Sequence, residues 1–192
     1  DSQIMINFGW RSSDDESFFE AFNDTYAERD RTIWHFSPRL RRVVALGSIE
    51  HDIKFGFDYE RWSVTRNASD AEQNISDPHN IFKSEQRNYG LYVEDSLALS
   101  DLWMFSVGAR WDEQTQTAND TFDANAPGAA AKFESEAPAG DQKISVSGYE
   151  LNLQRELQVG GYIGASTNKS YRLANVDEIG AVGEFDSTFN KV

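Results

Sequence analysis

Hydrophobic and polar residues alternate along two neighbouring runs in the middle of the chain, 87–98 and 103–114. The apolar positions are Tyr89, Leu91, Val93 and Leu97 in the first run and Phe105, Val107, Ala109 and Trp111 in the second. Successive side chains of a β-strand point to opposite faces. The period of two therefore predicts two strands that each have one apolar and one polar face.

The connection between these runs fixes which residues face each other. A shift of one residue would place every apolar residue of one strand opposite a polar residue of the other. A three-residue connection, 100–102, avoids this conflict. It predicts an antiparallel hairpin with the pairs Leu97 and Phe105, Val93 and Ala109, and Tyr92 and Arg110.

Further alternating runs predict strands at 3–11, 32–41, 52–65, 144–157 and 161–169, with one more near 184–190. Gly47-Ser48 predicts a compact turn. Residues 14–22 admit a second interpretation, a short helix capped by Ser13 or Asp14.

Long and short connections alternate along the chain. The predicted long loops cover about 12–31, 66–84, 115–143 and 170–183, whereas the other connections are tight turns. We therefore predict an all-β fold, an antiparallel up-and-down meander of about seven or eight strands in one domain over 1–192, with all long loops at one end.

Two kinds of environment fit this alternation, a protein core and a lipid bilayer. A soluble β-barrel would turn its apolar face inward. The polar faces, however, hold Gly, Ser, Asn, Gln and Tyr with few charges, as the interior of a larger barrel would. Tyr59, Tyr89 and Trp111 lie near the long-loop ends of the apolar faces and Trp103 lies near a short turn, as in the aromatic girdles of membrane barrels. Asp95, between Val93 and Leu97, runs against this interpretation.

Composition excludes several classes of function. The 192 residues carry a net charge of −14, which argues against nucleic acid as a partner because phosphate binding needs a basic surface. The chain has no cysteine, so thiol catalysis and Cys-ligated zinc are excluded. A mean hydropathy of −0.61 is compatible with transmembrane strands, since only half of their residues are apolar.

Candidate catalytic chemistry is sparse. His35, His51 and His79 lack metal-ligand spacing, and Asp120 and Asp123 lack the oxygen spacing and glycine of a calcium loop. We therefore predict a protein that is not an enzyme, with no catalytic residues, no metal site and no cofactor.

Two segments resemble a known family. Residues 88–95 (NYGLYVED), 99–101 (LSD) and 106–112 (SVGARWD) resemble the mid-barrel hairpin of TonB-dependent outer-membrane receptors. Residues 170–179 (SYRLANVDEI) resemble a second family pattern, Gly-Phe-Arg-Ala-Pro followed by Glu-Leu. Arg172, Glu178 and Ile179 match that pattern, while Leu173 is inserted or displaced and Asn175 stands where proline is usual.

The resemblance implies a protein of the bacterial outer membrane. Members of the family form a barrel of about 22 strands closed by an N-terminal plug domain. They import ferric siderophores, haem, cobalamin or similar scarce nutrients with energy from the TonB complex. We expect this chain to be an internal barrel fragment without the plug, whose partners are outer-membrane lipid, the plug and TonB through parts outside this sequence, and a ferric siderophore or similar small ligand. A small porin-like barrel and a soluble β-barrel binding protein are the alternatives.

The same resemblance suggests roles for individual residues. Tyr92, Glu94 and Arg110 are expected to face the lumen and the plug, although Arg110 and Glu94 could instead pair diagonally within the wall. Arg172 and Glu178 are expected to orient the base of an extracellular loop. Phe18, Phe19 and Tyr26 are candidates for ligand contact, with strand extension as the alternative interpretation.

Overall fold

The computed structural model describes residues 2–19, 25–129, 140–157 and 160–173. These residues form a single antiparallel sheet in which every strand pairs with its neighbour in sequence. The seven strands are β1 (Ser2–Phe19), β2 (Thr25–Leu46), β3 (Ile49–Ser69), β4 (Asn80–Ala98), β5 (Trp103–Phe122), β6 (Gly140–Glu156) and β7 (Tyr162–Lys169). One 3-10 turn, Glu72–Asn74, lies between β3 and β4. The predicted all-β meander is confirmed.

The hairpin of β4 and β5 has the predicted register. Tyr92 lies opposite Arg110, Val93 opposite Ala109, and Leu97 opposite Phe105. At the turn, the backbone N–H of Leu99 donates to the carbonyl of Trp103 at 2.9 Å, which leaves the three residues 100–102 as the connection. The registers of the other ladders extend this alignment across the sheet.

One lateral row of the sheet defines each face. The apolar face contains the row Ile4, Leu40, Phe55, Val93, Ala109 and Tyr149, and the polar face contains the row Met5, Arg39, Gly56, Tyr92, Arg110 and Gly148. Residues of the same parity along each strand share its face, because side chains alternate.

Exposure is reversed relative to a soluble protein. Large apolar side chains are open, with Ile4 73%, Phe8 66% and Val93 45% exposed, while Ser37 and Gln114 are 0% and 2% exposed. A soluble barrel would have packed Leu91, Val93 and Val107 inside, yet all three are exposed. That alternative interpretation is wrong for the described residues.

Aromatic residues form a continuous line across the apolar face, which we call the aromatic belt: Trp10, Trp34, Tyr59, Tyr89, Trp111 and Tyr149. Neighbouring rings are close, with centroids 6.2 Å apart for Trp10 and Trp34 and 5.2 Å apart for Tyr59 and Tyr89. From β1 to β6 the belt shifts towards the short turns, as tilted barrel strands require. In β4 about 10 residues separate the belt from the turn, the length that crosses a bilayer.

Asp95 is on the apolar face, but it is not an isolated charge. Its Oδ2 lies 2.7 Å from Nδ1 of His51, a neighbour on the same face near the short turns. A hydrogen-bonded partner lowers the cost of holding a carboxylate there. The contact removes the objection that Asp95 raised from the sequence.

The strands are longer than the sequence pattern predicted. Each of the predicted loops 12–31, 66–84 and 115–143 is shorter than expected, because β1 to β6 extend into it from both sides. The predicted loop 170–183 is described only as far as residue 173. Past the aromatic belt both faces carry polar residues, so the period of two disappears although backbone pairing continues.

The helix considered for residues 14–22 is wrong, because β1 continues to Phe19. Pro38 lies inside β2, at the point where pairing with β3 is interrupted between Phe36 and Arg39. Proline has no N–H to donate, which accounts for a gap at this position. The possible strand near 184–190 lies outside the described residues.

Candidate functional site

Arg110 is the centre of a charged group on the polar face. Its Nη1 donates to Asp58 at 2.7 Å, and its Nε and Nη2 donate to the two carboxylate oxygens of Asp112 at 2.7 and 2.8 Å. Ser37 donates to the other oxygen of Asp58 at 2.5 Å. The guanidinium thus joins β3 to β5 across β4, and bidentate pairing makes the Asp112 contact strong.

Aromatic rings complete the group, which we call the Arg110 cluster: Asp58, Tyr92, Arg110, Asp112 and Tyr171. The guanidinium carbon of Arg110 lies 5.7 Å from the centroid of the Tyr92 ring. The Tyr171 hydroxyl, two residues past β7, donates to Asp112. The cluster therefore connects β3, β4, β5 and the segment after β7.

Glycines make this arrangement possible. Gly90 lies between Asp58 and Asp112 in the lateral row, and a Cβ there would collide with the side chains of Arg110 and Asp112. A Cβ on Gly56 would occupy the space of the Tyr92 ring, and one on Gly148 would crowd Tyr171. The groups that approach Gly56 and Gly90 are side chains of this chain, and Gly148 is also approached by the backbone carbonyl of Lys169.

Glu94 belongs to a separate pair. Nζ of Lys54, its direct cross-strand neighbour, donates to Glu94 at 2.8 Å. The alternative in which Arg110 and Glu94 pair diagonally is therefore wrong, because each has a different partner. The register brings Tyr92, Glu94 and Arg110 onto one face, as predicted.

Tyr171 is a member of the site that the sequence did not single out. It lies beside Arg172, within the stretch that resembles the second family motif. That motif was the available signal, but it pointed to Arg172, which is exposed. Glu178 lies outside the described residues.

An open cavity of about 510 Å³ lies beside the Arg110 cluster on the polar face. Gly108 and Gly148 form part of its floor, and Arg39, Glu94 and Glu150 line it. These groups can hydrogen-bond to a polar surface placed against the wall. Within the described residues no three His, Asp or Glu side chains converge as metal ligands.

Phe18 and Tyr26 face each other across the β1–β2 ladder, on the same side as the aromatic belt. Phe18 is exposed, whereas Tyr26 is buried. Phe19 lies opposite Thr25. The strands do extend through this region, so ligand contact by these three residues stays a prediction.

An ionic group lies on the apolar side beyond the aromatic belt. Glu85 accepts hydrogen bonds from Nη2 of Arg61 and, at 2.5 Å, from Nε of Arg87. Burial raises the pKa of the Glu85 carboxyl, but the hydrogen bonds from the two arginines outweigh it and hold that pKa below its usual range. Glu85 is therefore ionised at neutral pH.

The exposed apolar face, its aromatic belt and the ion-paired polar face define a wall segment of a membrane-type β-barrel. No helix among the described residues is long and apolar enough to cross a membrane. The family described as TonB-dependent receptor-like β-barrel matches residues 2–181. The chain belongs to that family.

Solved structures of similar fold agree with this assignment. The ferric citrate transporter FecA in its unliganded form superimposes with a TM-score of 0.65 at 15% identity, covering 87% of this chain and 24% of FecA. The ferric-catecholate import receptor Fiu from E. coli K12, in its open form, superimposes with a TM-score of 0.61 at 13% identity, covering 87% of this chain and 32% of Fiu. The siderophore receptor PiuA from Acinetobacter baumannii superimposes with a TM-score of 0.53 at 15% identity, covering 73% of this chain and 24% of PiuA.

These likenesses are of fold, and the chain spans only a quarter to a third of each of these proteins. A comparison with curated proteins found no sequence match.

Proposed function

We propose that this chain is part of the wall of a bacterial outer-membrane receptor that imports a ferric siderophore or a similar scarce nutrient with energy from TonB. The observation that carries the proposal is the reversed exposure of the sheet. Large apolar side chains are exposed over the height of a bilayer, and the most deeply buried side chains, Ser37, Ser69 and Gln114, are polar. The structural neighbours FecA, Fiu and PiuA, whose names state ferric citrate, ferric catecholate and siderophores, support the choice of cargo.

Transport is tested in the full-length receptor that contains this chain. We expect uptake of radioactive iron, supplied in turn as ferric citrate and as ferric catecholates, in cells that express the receptor and not in cells that lack it. Deleting TonB should abolish that uptake. Iron uptake that persists without TonB would favour the porin-like alternative, and no uptake of any ferric chelate would contradict the proposed cargo class.

We further propose that Tyr92, Glu94 and Arg110 face the lumen and contact the plug domain of the intact receptor. The exposed cavity beside them offers polar and charged groups for such a contact. A photo-crosslinking amino acid at position 92 should form bonds to the N-terminal part of the same receptor, as mapped by mass spectrometry. The same amino acid at Leu91, the preceding residue, whose side chain is on the opposite face, serves as the control and should form no such bonds. Equal crosslinking from both positions would contradict the assignment.

A further inference from the structure

Basic side chains are concentrated at one place on the apolar side, just beyond the aromatic belt. Arg61 of β3 lies directly opposite Arg87 of β4, and Lys83 is on the same face farther along β4. The side chains of Arg61 and Arg87 are 43% and 48% exposed. We call Arg61, Lys83 and Arg87 the basic patch.

The charge of the patch is incompletely balanced. Glu85 is the one acidic residue on this face of β3 and β4 beyond the belt, and both arginines share it. Like charges placed directly opposite each other in a sheet destabilise it. An additional anion between the guanidinium groups would therefore stabilise the arrangement.

The local excess stands out against the rest of the chain. The net charge of the sequence is −14. At the corresponding level of β1 and β2 the same face is acidic, with Asp14, Glu16, Glu28 and Asp30. On the other side of the patch, Lys143 of β6 is paired with Glu113 of β5 at 2.8 Å on the same face. The excess of basic over acidic side chains is therefore confined to β3 and β4.

Position identifies the anion. Aromatic residues of membrane proteins lie at the level of the lipid headgroups. Arg87 lies two positions before the belt residue Tyr89 and on the same face, at a distance of about 7 Å along the strand. We propose that the basic patch binds the phosphate of an anionic lipid headgroup in the leaflet on the long-loop side. Arg61 and Arg87 supply the guanidinium donors that suit a phosphate.

The test measures lipids retained by the full-length receptor. The receptor is reconstituted in phosphatidylcholine nanodiscs with phosphatidylglycerol as the anionic probe, and bound lipids are counted by native mass spectrometry. Arg61→Gln and Arg87→Gln should each lower retention of phosphatidylglycerol roughly fivefold, and Arg87→Lys should keep most of it. Glu85→Gln should increase retention, because it removes the competing carboxylate.

Arg66→Gln is the matched control. Arg66 is exposed and lies on β3, as Arg61 does, but on the polar face, where its guanidinium lies over the Phe82 ring. It should leave lipid retention unchanged. Heat-modifiable mobility on gels confirms that each variant is folded. Unchanged retention in the Arg61→Gln and Arg87→Gln variants, or an equal loss in Arg66→Gln, would overturn the proposal, as would a receptor dimer that depends on these arginines.

This inference rests on one part of the proposed function, the placement of the chain in the wall of an outer-membrane barrel. It does not depend on which nutrient the receptor transports. Cysteine labelling at positions 93 and 94 tests the position in the membrane separately. Correct labelling with no effect of the basic patch would refute this inference alone.

Discussion

At the scale of a single residue, Gly90 provides the space in which the Arg110 cluster forms. Its missing side chain leaves room for Arg110 to reach both Asp58 and Asp112. Gly108 lies on the same face, but a Cβ there would meet no heavy atom nearer than 3.8 Å. The two glycines therefore form a matched pair for a substitution experiment.

We expect Gly90→Ala to destabilise the full-length receptor by roughly 1–3 kcal/mol, because the new methyl group displaces the paired side chains. Gly108→Ala should change stability by less than about 0.5 kcal/mol. Urea unfolding of the receptor in lipid vesicles measures both. Equal stabilities of the two variants would show that the contacts of Arg110 do not depend on the space above Gly90.

The residues of the cluster could be predicted from the sequence only in part. Alternation placed Tyr92 and Arg110 on the polar side, and the register confirms this placement. The partners Asp58 and Asp112 could not be chosen, because the choice depends on the combined register of three strands. Tyr171 was out of reach since it arrives from beyond β7.

At the scale of an element, the two-residue turn Gly47-Ser48 connects β2 to β3 and closes their hairpin. Gly47 has a φ of +66°, and nothing lies within 4 Å of the position that its Cβ would occupy. A substitution there tests backbone strain without a steric collision.

Gly47→Ala should lower the free energy of unfolding by about 1–2 kcal/mol, because L-residues pay that amount in the left-handed region. Ser48→Ala in the same turn is the control, with an expected change below about 0.5 kcal/mol. The same urea titration of the full-length receptor measures these variants. If the control loses as much stability as Gly47→Ala, the left-handed conformation is not the cause.

Strand ends were the weakest part of the sequence prediction. Strand centres were recognised because an apolar face next to a polar one gives a period of two. Residues 115–122 continue β5 with mostly polar residues on both faces, so the sequence shows no period of two there. The ladder with β4 nevertheless persists. Backbone hydrogen bonding, which does not depend on side-chain polarity, sets these bounds.

Adjacent residues of one strand test the orientation of the whole molecule. Val93 is on the apolar face and Glu94 on the polar face of β4, within the length that crosses the bilayer. The chain contains no cysteine to confuse the labelling.

In the full-length receptor, a fluorophore on Val93→Cys should be quenched by brominated lipids, because the side chain points into hydrocarbon. Glu94→Cys should instead escape this quenching and react with a small water-soluble maleimide. Reversed results would place lipid on the polar face and contradict the proposed membrane wall.

The sequence by itself determined the fold class, the hairpin register and the family, because a period of two, parity at the turns and ordered motifs are properties of the linear chain. It also indicated that lipid, rather than a protein core, covers the apolar face. Only the tertiary structure decided the contacts between strands that are not neighbours, such as Arg110 of β5 with Asp58 of β3 across Gly90. The reason is physical: each contact depends on several registers at once and on the space that a glycine leaves open.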